Sequence, residues 1–202
     1  MWITIYMKYL FTLIISIILL ACNNQELKTI DKASSEMEYA TRTNTIVFNW
    51  SLKPVLSSYY ELKDNFIDQN DQFIDSTSKK LIKAIDSLKL NELNDESTLM
   101  HTSKSYIEGI KAELIGLLGE NLRKDKMKSF QMISEQLFDF IKLVQYDGEV
   151  IYRINCPMAF NNNGATWMSN STIIKNPYLS DAMLNCGELI DTIDFKIKST
   201  TK

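Results

Sequence analysis

Residues 127–144 read MKSFQMISEQLFDFIKLV, and this stretch decides the fold. Met127, Phe130, Ile133, Leu137, Phe140, Ile141 and Val144 recur at steps of three and four. That is the spacing of one apolar face of an α-helix. The same period appears three more times upstream. Val55, Leu56, Tyr59, Leu62 and Phe66 form one stripe, within a helical pattern that opens at Ile46 and has Pro54 suited to a first turn. Phe73, Ile74, Thr77, Leu81, Ile82, Ile85 and Leu88 form a second, after the polar break Asp68-Gln69-Asn70-Asp71. Met100, Ile107, Ile110, Leu114, Leu117 and Leu118 form a third, after a turn-like, acidic segment at Asn91–Ser97. Four amphipathic helices with short connections predict an all-α antiparallel four-helix bundle over residues 46–147.

Downstream the pattern changes. Val150-Ile151-Tyr152-Arg153-Ile154 alternates and predicts a short extended segment. Turn formers then crowd the chain: Pro157, Asn161-Asn162-Asn163-Gly164, Asn176-Pro177 and Gly187. Residues 148–193 therefore read as a loop-rich, cysteine-containing segment closing the domain, with 194–202 a tail.

Upstream, Tyr9–Ala21 is an apolar run with Lys8 before it, too short to span a bilayer as a lasting helix and of the size of a signal-peptide core. It ends Leu19-Leu20-Ala21-Cys22, which resembles the lipobox of bacterial lipoproteins. The resemblance implies a signal peptide over 1–21, lipidation at Cys22 and an anchor in the membrane. Residues 22–45, polar and without sustained periodicity, read as a flexible tether. The expected location is the cell envelope, on the outer membrane and facing the periplasm. The 202 residues carry a net charge of −3, and removal of 1–21 takes away one Lys. That mild acidity argues against a nucleic-acid partner, whose binders carry clustered basic surface.

Beyond Cys22 two cysteines remain, Cys156 and Cys186, with Met158, Met168 and Met183 close to them in sequence. Two thiols and three thioethers within some thirty residues form a soft donor set that selects Cu(I). In an oxidising compartment the same pair equally predicts a disulfide, closing a loop that stabilises the fold by about 3–4 kcal/mol. Met158, Met168 and Met183 then become ordinary packing residues. Both readings stand on spacing. His101, the only histidine, sits beside Met100 and is the one further soft-metal candidate. A single histidine gives poor support for a zinc hydrolase or a Ser-His-Asp triad. The expectation is therefore a protein that is not an enzyme.

The stretch Cys156-Pro157-Met158-Ala159-Phe160, then Gly164-Ala165-Thr166-Trp167-Met168-Ser169, Asn176-Pro177-Tyr178 and Met183-Leu184-Asn185-Cys186-Gly187 resembles the domain family DUF3347. Members read CPMAF, a Gly-Ala-x-Trp-Leu-Ser step, NPY and ML-x-CG in that order, and the resemblance runs over Ile46–Ile193. It implies a helical domain found in lipoproteins of Bacteroidetes-type bacteria and fused to periplasmic adaptors of copper and silver efflux systems. On that basis the expected function is binding or passing Cu(I) through Cys156 and Cys186, in copper or silver tolerance, beside an efflux adaptor or copper-handling partner. The alternative is a disulfide-stapled structural or interaction module of the envelope. Many family members carry histidines around the third and fourth helices; Arg123–Lys128 has none here.

Overall fold

The computed structural model describes residues 44–93, 97–179 and 181–196. The expected signal peptide, the lipidated Cys22 and most of the tether lie outside them. Among the described residues four long helices come first: α1 (Ile46–Ile67), α2 (Asp71–Asp86), α3 (Ser97–Gly119) and α4 (Arg123–Leu143), with a 3-10 turn at Leu90–Glu92. Each buries most of the face its period foretold; Phe73, at the start of the second stripe, is the exception and is 48 % exposed. Phe48, Leu52, Val55, Tyr59, Leu62 and Phe66 of α1 are all fully buried, as are Ile110, Leu114 and Leu117 of α3 and Phe130, Ile133, Leu137 and Phe140 of α4. Phe130 joins α4 to α1, with its ring centroid 5.4 Å from Tyr59 and 4.9 Å from Phe66.

The helix ends are tied across the fold. Thr45 caps α1, its hydroxyl accepting from Phe48 N–H at 3.1 Å. The Asn44 amide donates to Val144 O and Gln145 O at 2.8 and 3.1 Å, answering carbonyls that α4 leaves without helical partners. Arg123 donates to both carboxylate oxygens of Asp71 and to Gln69 Oε1, joining the start of α4 to the start of α2. Pro54 is not in a first turn. It lies well inside α1, where it withholds the N–H that Trp50 O would accept.

The all-α expectation is overturned. A three-stranded antiparallel sheet follows the helices, so the domain is mixed α/β with helices dominating. β1 (Ile151–Cys156) is central, flanked by β2 (Ala165–Ser169) and β3 (Glu188–Ile193), in the order β2-β1-β3. β1 is the extended segment the alternation foretold. β2 and β3 fall inside what read as loop, since each is five or six residues long and hemmed by turn formers. Between β1 and β2 runs a single turn, α5 (Ala159–Asn162), in which Phe160, Asn161 and Asn162 all have left-handed angles (φ 50°, 59° and 66°). Asparagine tolerates that conformation; phenylalanine adopts it only where its surroundings impose it.

The sheet packs on α4. Arg153 lies 5.1 Å from the Phe138 ring, and Thr166 Oγ1 is 3.4 Å from Glu135 Oε1. The outer rim of β2 is closed by two phenols. The Tyr59 hydroxyl accepts from Met168 N–H at 2.9 Å, and the Tyr178 hydroxyl donates to Thr166 O at 2.7 Å. Among the described residues nothing pairs with the outer rim of β3. No described helix is long and apolar enough to cross a membrane.

Candidate functional site

The candidate residues gather where β1 ends. Cys156 closes β1 and pairs in register with Ala165, while Ile154 pairs with Trp167. Paired residues in an antiparallel ladder share a face, so Cys156, Ile154, Ala165 and Trp167 form one patch. Over it folds the segment 170–187, and Cys186 is joined to Cys156 as a disulfide, Cα atoms 5.7 Å apart across 30 residues of sequence.

Four features hold that segment down. The Asn176 side chain accepts from Tyr178 N–H and Leu179 N–H at 2.7 and 2.9 Å and donates to Cys186 O at 2.8 Å. Its own N–H donates to Leu184 O at 2.7 Å, and the residue is fully buried. The Tyr178 ring sits edge-on to Trp167 with centroids 5.9 Å apart, and tilts against Phe160 at 5.3 Å. Gly187 lies against the patch so closely that a Cβ there would stand 2.8 Å from Trp167 Cη2 and 2.9 Å from Ile154 Cγ2. The fourth feature is the disulfide itself. Burial holds the Tyr178 and Tyr59 phenols well above their ordinary range, so both stay neutral donors and acceptors at any physiological pH.

The predicted ligands do not all converge. Cys156 is fully buried and Cys186 half-buried, both within the disulfide. Met158 and Met183 are 45 % and 40 % exposed, on the two loops that the disulfide links. Met168 does not join them: it is three positions from Ala165 in β2, hence on the opposite face from Cys156, and is fully buried. His101 is exposed on α3, which packs mainly on α2, α4 and the 3-10 turn. Among the described residues no group of three or more His, Cys, Asp and Glu is placed to hold a metal ion.

Asn176, Tyr178 and Gly187 were legible as motif letters and illegible as parts. Only the folded segment shows that the asparagine is a bracket, the tyrosine a lid over Trp167 and the glycine a point of close approach. Compared with protein-family models, curated proteins and solved structures, the chain matches none.

Proposed function

We propose that this chain is a non-enzymatic interaction module of the cell envelope, tethered by lipid on Cys22 to the outer membrane and facing the periplasm. The carrying observation is the Cys156–Cys186 disulfide, around which the four motif elements fold as one body. A structural disulfide belongs in an oxidising compartment, which agrees with an exported chain. Exposed Ile173, Leu184, Leu189 and Ile190 on the segment and on β3 offer apolar area for an envelope partner.

A second reading rests on the exposed thioethers of Met158 and Met183 beside the disulfide. After reduction, the two thiolates with these two methionines form a soft set for Cu(I), to be passed to an efflux adaptor or another copper-handling protein. Met168 and His101 have no part in it, given their positions.

The test is the intact mass of the full chain made in a periplasm, before and after gentle reduction and Cu(I) addition. The interaction module gives a mass two hydrogens below the reduced chain and takes up no stoichiometric copper. Cys186→Ser then lowers unfolding stability by about 3–4 kcal/mol. A one-to-one copper adduct that disappears in Met183→Leu overturns the first reading in favour of the second.

A further inference from the structure

The outward face of α1 carries a second stripe. Trp50, Lys53, Ser57, Tyr60 and Asp64 succeed one another at steps of three and four; all are exposed except Tyr60, which is half-buried against the edge of the core. Across from them stand Tyr146, Gly148, Glu149 and Asn170, and between the two walls lies an open cleft of about 670 Å³. Trp50, 70 % exposed, lies just beyond the cleft in an adjoining shallow pocket that shares Lys53 and Ser57 with it, and Lys53 Nζ stands 6.0 Å from its ring centroid.

Both walls present phenol hydroxyls, Tyr60 from α1 and Tyr146 from across it. Tyr60 donates to Glu149 Oε1 at 3.1 Å, fixing both side chains at the cleft wall. Gly148 has no side chain where one would collide with the Tyr146 hydroxyl, so that phenol oxygen reaches the wall. Of the lining carboxylates, Glu61 pairs with Lys80 of α2 and Asp64 with Lys63 at 3.1 Å, both cations outside the cleft, and Glu149 accepts from the Tyr60 hydroxyl. The lining is thus rich in hydroxyl, amide and carboxylate partners, and its three carboxylates are balanced by Lys53 within it and by Lys63 and Lys80 beside it. From Trp50 to Asn65 the helix rises on the order of 20 Å, the length of several pyranose rings in a row.

The geometry points to a binding site for a neutral oligosaccharide along the outer face of α1. The apolar face of one ring stacks on Trp50, and the hydroxyls of following rings bond Lys53, Tyr60, Glu149 and Asn170. This chemistry needs an exposed flat ring followed by fixed polar partners at chain-length spacing, and it does not involve the disulfide end of the molecule.

The full chain in mild detergent is titrated by calorimetry with cellotetraose, chitotetraose and maltotetraose. At least one binds saturably. Trp50→Ala weakens it tenfold or more, and Asn170→Ala about fivefold, the loss of one neutral hydrogen bond. Leu122→Ala, an exposed apolar residue outside the cleft, leaves affinity unchanged. Circular dichroism checks that each variant keeps its helices; should Trp50→Ala lose them, Asn170→Ala carries the comparison. The inference is overturned if no tetrasaccharide binds at millimolar concentration. It is equally overturned if Trp50→Ala and Asn170→Ala bind as the parent does, or if only an anionic heparin tetrasaccharide binds.

Discussion

Asn176 makes three side-chain hydrogen bonds in a site closed to water, two of them to backbone N–H groups that have no other donor role in the segment. Asn176→Ala strands those groups and costs about 2–3 kcal/mol, whereas Tyr178→Phe loses one bond and costs about 1 kcal/mol. Urea unfolding midpoints of the two variants rank them; equal losses would mean that Asn176 is not the bracket. At this scale the sequence was half legible. The cysteine pair could be read because two thiols some thirty residues apart have few roles, although spacing alone could not choose between bond and ligand. Met168 could not be placed, since its face depends on belonging to β2, a strand too short to show its own alternation. The cleft was illegible for another reason. Its lining comes from three separated stretches, which no local period joins.

The helices were the legible elements, because a core-facing stripe repeats over four or more turns and cannot arise by a few chance residues. Their ends were harder. α1 and α4 both stop with a glutamine in the left-handed conformation, Gln69 (φ 54°) and Gln145 (φ 52°). In each case the next N–H reaches back to the carbonyl five residues earlier, Asn70 to Asn65 and Tyr146 to Ile141. This is the Schellman arrangement, which glycine usually serves, so a search for glycine passes both stops by. The two glutamines differ in one respect. The Gln69 side chain bonds Arg123 at 2.6 Å and also Asp181, while Gln145 makes no such link among the described residues. Gln145→Gly therefore stabilises the fold by about 0.5–1 kcal/mol by removing the left-handed penalty. Gln69→Gly gains nothing, because the relief is offset by the lost bonds. Thermal midpoints measured side by side decide it, and a parallel gain in both variants would refute the difference.

Over the whole molecule the tyrosines set the alkaline limit. Tyr59, Tyr60 and Tyr178 are held far above the ordinary phenol range, chiefly by burial, and Tyr146 is pushed up to about 12 by burial and then by the charges of Glu149 and Asp147. A raised phenol pKa means that the folded chain keeps protons the unfolded chain gives up. Stability is thus intact below pH 10 and falls above it, by up to about 1.4 kcal/mol per pH unit for each such tyrosine. Tyr60→Phe makes that fall shallower by one tyrosine's share, which urea titrations at pH 9, 10 and 11 would register. On the acid side Asp71 and Asp191 are lowered, first by their hydrogen bonds to Arg123 and Lys142. Their contribution is present above the ordinary aspartate range and lost as pH falls through the lowered values. Both groups face solvent, so the acid limb is shallow.

The two phenols on the rim of β2 have a consequence for how copies of this chain can meet. A sheet lengthens into a filament only when each copy offers two receptive rims, one to give and one to take. Here Tyr59 and Tyr178 occupy one rim with bonds that an incoming strand would have to displace from a closed interior. Among the described residues only β3 stays receptive, and two such rims laid against each other use themselves up. High local concentration can therefore drive this domain into pairs, while open-ended polymerisation is stopped after a single step.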